Sequence, residues 1–180
     1  MRIVAGKYKA KKLFVPSGQN VRPTLERTRE ALFSILYSKG IDFSQTSVLD
    51  VFAGTGAFGF EALSRGAKKV TFVDKDVLLV NKNATLFEKD KEKIKIIKAD
   101  VLKMPFIKET FDLVFMDAPY SKGLTQVAIQ GLIKQGLITD GTLLLIETQK
   151  DEEILFPSEF ELCDERDYGI AKIRFFYYKK

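Results

Sequence analysis

Two short runs in this chain carry residue types, at spacings, that can do chemistry. The first is Asp50-Val-Phe52-Ala53-Gly54-Thr55-Gly56, directly after the apolar Ser47-Val-Leu. The second is Asp117-Ala118-Pro119-Tyr120, directly after Phe111-Asp-Leu-Val-Phe-Met116. Each begins where a short strand would end. Glycines let a backbone turn tightly and approach a ligand closely, so the first run reads as a nucleotide-cofactor loop. The second reads as a pocket for a planar amino group. An exocyclic amine on a base is a poor nucleophile, because its lone pair is delocalised into the ring. The Asp117 carboxylate and the Ala118 carbonyl, accepting its two N–H bonds, would push that nitrogen toward tetrahedral geometry. Pro119 fixes the turn, and Tyr120 offers a ring face on which a base can stack. The pair points to methyl transfer from S-adenosylmethionine to a base nitrogen.

Gly54-Thr-Gly56-Ala-Phe-Gly59 matches G-x-G-x-x-G and sits at a strand-to-helix turn. A nicotinamide or flavin dinucleotide is therefore the competing cofactor. Such a fingerprint has an apolar residue four positions before its first glycine, where this chain has Asp50. A carboxylate there suits the charged amino group of a methionine moiety. Asp74, beside Lys75 and twenty residues after Gly54, can accept bonds from ribose hydroxyls and fits either cofactor. Asp100, followed by Val101, is a candidate for the adenine amino group, although aspartates after strands are also common helix caps.

The elements that hold these runs are legible as alternating patterns. Val48–Val51, Val70–Val73, Ile94–Ile97, Phe111–Phe115 and Thr142–Ile146 read as strands. Helices are expected over 57–65, 76–88 and 124–135. Residues 159–165 and 170–178 read as a hairpin turning at Asp167-Tyr-Gly169. The β-α alternation predicts an α/β, doubly wound, mostly parallel sheet with helices on both faces. Ahead of it, Arg2–Ala5 and Lys12–Val15 read as two extended pieces. A helix over 24–38, capped by Thr24, presents Leu25, Thr28, Leu32, Ile35 and Leu36 to the body. The expected division is a basic N-terminal extension, 1–23, and a catalytic domain, 24–180.

Composition narrows the chemistry further. The 180 residues contain no histidine and one cysteine, Cys163, which excludes Ser-His-Asp or Cys-His catalysis, histidine-ligated zinc and an internal disulfide. No metal site is expected. No apolar run approaches a bilayer span and the N-terminus lacks a signal core, so a cytoplasmic setting is the expectation. The net charge of +5 is uneven. Residues 1–40 hold nine Lys/Arg against two Asp/Glu, whereas 41–180 hold 20 against 22. A basic extension on a near-neutral body suits a phosphate-rich partner, with a solvated lysine-rich arm as the plainer alternative.

These residues resemble the bacterial 16S ribosomal RNA guanine-N2 methyltransferase family (the RsmD family), within the class I S-adenosylmethionine-dependent methyltransferases. The resemblance runs from Arg2-Ile-Val-Ala-Gly6 through Arg22-Pro-Thr24 and Glu26-Arg-Thr-Arg29 to the glycine loop. It continues through Asp117-Ala-Pro-Tyr120 to Tyr168-Gly169. It implies a seven-stranded Rossmann-like sheet with an antiparallel last strand, S-adenosylmethionine as cofactor, and one guanine N2 of small-subunit rRNA as target. The family usually reads Asp-Pro-Pro-Tyr, and Ala118 replaces the first proline here. By this resemblance Arg22, Thr24, Arg27 and Arg29 lie near the substrate, and Lys7, Lys9, Lys11 and Lys12 contact phosphates. Residues two apart on a helix point about 200° away from each other. Arg27 and Arg29 therefore should not both face RNA, and one of them should pair with a body carboxylate. Adenine-N6 or small-molecule N-methylation, and an inactive RNA-binding module, are the competing readings. A monomer is the default expectation.

Overall fold

In the computed structural model of the protein, residues 1–17, 23–119, 123–152 and 154–180 are described, with 23–25 described for backbone only. The expected Thr24 cap and Leu25 contact, Arg22 and Tyr120 therefore lie outside the described side chains.

Apolar β-rich runs bounded by glycine or charge form seven strands. They are β1 Ser47–Val51, β2 Lys69–Asp74, β3 Ile94–Lys98, β4 Phe111–Asp117, β5 Ile138–Gln149, β6 Phe160–Tyr168 and β7 Ala171–Tyr178. Their order in one sheet is β3-β2-β1-β4-β5-β7-β6. β1 to β5 are parallel, and β7 runs antiparallel between β5 and β6. Each parallel step needs a crossover. Helices α1 Pro23–Ser38, α2 Ala57–Ser64, α3 Leu78–Ala84 and α4 Leu124–Lys134 surround this sheet.

The sheet separates two apolar layers. On one face, Val48, Val70, Phe72, Leu113, Phe115, Leu143 and Leu145 pack with Leu32, Phe33 and Leu36 of α1 and Phe58, Phe60 and Leu63 of α2. Ile3 and Leu13 of the N-terminal segment belong to the same layer. On the other face, Leu49, Val114, Met116, Leu144 and Ile146 meet Ala128, Ile129 and Leu132 of α4. The expected doubly covered sheet is present, with the α1 stripe seated on the body.

Three expected elements differ. The helix over 76–88 is α-helical only to Ala84 and continues as 3-10 turns over 85–93, with non-helical backbone at Phe87 and Asp90. The break turns Phe87 fully inward, where its ring stacks 4.5 Å from Phe60, and brings Asp90 to the N-terminal segment. The fifth strand is longer than its apolar run, reaching from Ile138 to Gln149. The two N-terminal pieces join through a single bridge, Arg2 to Lys12.

Buried polar groups on the body hold that N-terminal segment. Glu61, fully enclosed in α2, accepts the backbone N–H groups of Val4 and Ala5 at 2.8 and 3.0 Å. Asp90 accepts Lys7 Nζ and the Tyr8 hydroxyl, each at 2.7 Å. Burial alone would raise the Asp90 pKa, but bonds from Lys7, Tyr8 and Lys93 outweigh it and hold it at about 2. At Gly6 (φ +82°) the chain passes so close to α2 that a Cβ would lie 2.0 Å from the Ser64 carbonyl oxygen. Only glycine fits there.

Candidate active site

Strand register places four carboxylates on one face near the C-terminal ends of four adjacent strands. Asp50 is level with Phe72 and Phe115, and Asp117 with Glu147. Because side chains alternate along a strand, Asp74 shares the face of Phe72, and Asp117 that of Phe115. Asp74, Asp50, Asp117 and Glu147 thus come from β2, β1, β4 and β5, on the side covered by α1 and α2. This is the edge at which open α/β sheets take ligands.

The loop between β1 and α2 turns through left-handed backbone at Phe52 (φ +60°), Gly54 (+54°) and Gly56 (+75°). For Phe52, the non-glycine among them, such a conformation costs about 1–3 kcal/mol, and strain of this kind clusters at functional sites. The loop is held from outside. Asp74 accepts the Gly54 N–H at 2.8 Å, Asn83 donates to the Thr55 carbonyl at 2.9 Å, and Gly56 N–H reaches Ala53 O at 2.7 Å. A Cβ on Gly54 would meet nothing within 4 Å, so this lip of the loop opens to free space. Gly59 has a different task. A Cβ there would strike the Phe72 ring at 2.3 Å, so it serves close approach of α2 to β2.

Asp50 is more enclosed than its position after Val-Leu suggested, because β1 continues through Val51. It is 2% exposed and accepts the Gly59 N–H at 3.0 Å. Burial, and then the nearby Asp117 and Asp74, push its pKa well above the usual range despite the Gly59 bond. An approaching cation would offset that cost, so the donor set suits an ammonium group. Asp74 accepts two backbone N–H groups, from Gly54 and Asp76, and a carboxylate retains lone pairs beyond those. Asp100 caps the 3-10 turn 101–103 through Leu102 N–H and pairs with Lys75 at 3.0 Å. Val101 is buried in the second apolar layer.

Asp117 ends β4, with Ala118 buried and Pro119 exposed behind it. Water reaches Asp117, yet the protein mass around it and then the Glu147 charge push its pKa up to about 7. Phe58 stacks on Phe115 at 4.1 Å beneath it, filling the space between α2 and β4.

Arg27 and Arg29 separate as the helix geometry requires. Arg29 is 6% exposed, lies 3.4 Å from Glu61 and donates to the Arg2 carbonyl. It is an interior cation, which corrects its placement at the RNA surface. Arg27 is exposed and lines a groove with Arg2 and Lys9. Lys9 and Lys12 are exposed. Lys7 is paired with Asp90, and Lys11 lies over the Tyr8 ring at 5.5 Å.

Glu61, Asn83, Asp90 and Glu147 carry much of this arrangement and were not singled out from the sequence. Glu61 had a signal, as the one charge in an otherwise apolar helix turn. Glu147 follows the apolar run Leu143–Ile146 as Asp117 follows its own. Asn83 had none.

The strand order, the antiparallel β7 and a glycine loop after β1 define the class I methyltransferase fold. The chain belongs to the family described as "Conserved hypothetical protein 95", whose profile matches residues 1–177. It is 36% identical to "Ribosomal RNA small subunit methyltransferase D" of Haemophilus influenzae, covering 98% of this chain and 93% of that protein. The protein of the same name from Escherichia coli K12 is 31% identical, over 98% and 89% respectively. The solved structure of the candidate methyltransferase yhhF from Escherichia coli superposes with a TM-score of 0.84 at 29% identity, covering 99% of this chain and 98% of that one. Family and fold together imply use of S-adenosylmethionine.

Proposed function

We propose that the protein transfers the methyl group of S-adenosylmethionine to the exocyclic N2 of a guanine in 16S rRNA. The observation that carries this reading is the Asp117 carboxylate at the end of β4, beside Glu147 and on the same sheet face as the glycine loop. The near full-length likeness to proteins named for small-subunit rRNA supports the acceptor.

When bound, the cofactor supplies an activated methyl on a sulfonium with a good leaving group. Phe52, Ala53, Gly54, Thr55 and Gly56 would line its path, with Asp50 favouring the ammonium end. Asp74 would accept ribose hydroxyls, and Asp100, Val101 and Lys75 would flank the base. Asp117 accepts one N–H of the guanine amine and the Ala118 carbonyl the other, aiming the nitrogen lone pair at the methyl carbon. Once the methyl group is on that nitrogen, Asp117 or water would take the displaced amine proton. Positioning supplies much of the acceleration. Tyr120 is assigned the stacking face for the base, and Arg22, Thr24 and Arg27 the RNA near it. Lys7, Lys9, Lys11 and Lys12, on the 1–23 extension, are assigned phosphates, with Lys9 and Lys12 the most open. Residues 24–180 would then carry the transfer itself.

The test is transfer of labelled methyl to small-subunit rRNA lacking the modification, naked and in particles. Label on a guanine N2, lost in Asp117→Ala while that variant still binds cofactor, is the expected result. Full label with Asp117→Ala, or label on another atom, overturns the reading.

A further inference from the structure

The N-terminal segment and the glycine loop share one buried side chain. Asn83 of α3 has no solvent exposure, and its planar carboxamide grips two pieces of backbone. Its Oδ1 accepts the Phe14 N–H at 2.7 Å, and its Nδ2 donates to the Phe14 carbonyl at 3.0 Å. The same Nδ2 donates to the Thr55 carbonyl at 2.9 Å. Thr55 lies between two left-handed glycines, the part of the loop whose shape depends most on outside tethers. A second contact reaches Thr55 from the other end of the segment, where its hydroxyl lies 3.9 Å from the Met1 sulfur. Met1 is itself tied back, its carbonyl accepting the Leu13 N–H at 2.9 Å. Both ends of residues 1–14 thus bear on one loop residue. Lys12 is exposed two positions before Phe14, with the anchored Leu13 between them.

We infer that Asn83 is a positioning residue that couples the two ligands, so that RNA held by the N-terminal segment tightens cofactor binding at the glycine loop. This rests on the methyl-transfer reading above. A rigid amide bonded to both backbones transmits a small displacement of Phe14 to Thr55, because breaking either bond would strand a polar atom of the fully buried Asn83 side chain. Holding Phe14 in place removes freedom from the loop before the cofactor arrives. Linkage then requires the reciprocal effect, with cofactor tightening RNA by the same factor.

The experiment measures the dissociation constant of S-adenosylhomocysteine for the intact protein, with and without saturating small-subunit rRNA, offered naked and in particles. The expected result is cofactor binding tighter by about fivefold or more with rRNA. In Asn83→Ala each ligand should still bind alone, with that ratio reduced to about one. Lys12→Ala, a surface change that does not endanger folding, should lower the ratio at saturating rRNA. A wild-type ratio of one, with both ligands bound, overturns the coupling and leaves methyl transfer standing. A ratio unchanged in folded Asn83→Ala overturns the role of Asn83. Should Asn83→Ala not fold, an undiminished ratio in Lys12→Ala overturns the route. Failure of wild-type protein to bind cofactor, or to bind small-subunit rRNA either naked or in particles, sinks the underlying reading instead.

Discussion

Glu147 stands level with Asp117 across the β4–β5 ladder, both on the face that carries Asp50 and Asp74. Two carboxylates so placed resist being charged together. The consequence falls on Asp117, whose pKa rises to about 7 through the protein mass around it and then Glu147. In the proposed reaction Asp117 must be ionised to accept the amine N–H.

Activity should therefore fall as pH drops through about 7, following one proton taken up by Asp117. Glu147→Gln removes the repelling charge and should move that acid limb to lower pH. A pH profile of kcat/KM for both proteins checks this. An acid limb that stays in place in the variant would show that Glu147 does not tune Asp117.

The same shift has a stability sign. The folded state favours the protonated carboxyl, so its contribution is present below the ordinary aspartate pKa and is lost as pH rises through about 7. Asp117→Asn should raise Tm slightly relative to wild type at pH 8, water at the exposed carboxylate screening most of the effect, and leave it nearly unchanged at pH 4. Thermal unfolding at both values measures it, and a loss at pH 8 would contradict the assignment.

The two glycines flanking the loop should fail in different ways. Gly54→Ala meets only open space, so the fold should lose about 1–2 kcal/mol for left-handed backbone while cofactor affinity drops sharply. Gly59→Ala drives a methyl into Phe72 and should lose stability first. Denaturant unfolding and cofactor titration of both variants separate the effects.

Arg27 and Arg29 should divide likewise. Arg27→Ala is expected to weaken rRNA binding and reduce the log–log salt slope by about one, with Tm unchanged. Arg29→Ala leaves Glu61 buried with a charge less well compensated and should cost about 3 kcal/mol of stability. A salt titration and an unfolding curve for each decide the matter.

Ala118→Pro restores the usual family residue at a buried position. Turnover should change only modestly, because the Ala118 carbonyl is retained. A rise of about a hundredfold, ~2.7 kcal/mol of barrier, would show that loop rigidity and not the carbonyl limits the reaction.

Much of the fold was legible because parallel strands buried on both faces leave apolar runs, as in Val48–Val51 and Leu143–Ile146. Helical geometry also separated Arg27 from Arg29 in advance. It could not say which turned inward, since Glu61 lies 32 residues away in sequence. The seating of the N-terminal segment was hidden for another reason. Glu61 and Asn83 bind the backbones of Val4, Ala5 and Phe14, and a backbone amide leaves no mark on residue type. The α3 break was set by Phe87 and Asp90 finding distant partners, which local periodicity does not contain. The position of Asp50 just before the loop was legible, but not its enclosure, which involves α2 closing over it through the Gly59 N–H.

The position of β7 bears on how the chain is made. It is the final strand in sequence, yet it lies between β5 and β6, with Ile173 and Phe175 fully enclosed. During synthesis the β1–β4 half, with its glycine loop and Asp117, leaves the ribosome first. The edge of β5 stays uncovered until residues 171–178 emerge. Between the completion of β5 at Gln149 and that of β7 at Tyr178 the chain presents an unpaired, leucine-rich strand border, the kind of surface that invites aggregation or chaperone capture. Shortening the protein by its final strand would open the sheet from within, where trimming most chains only frays an end.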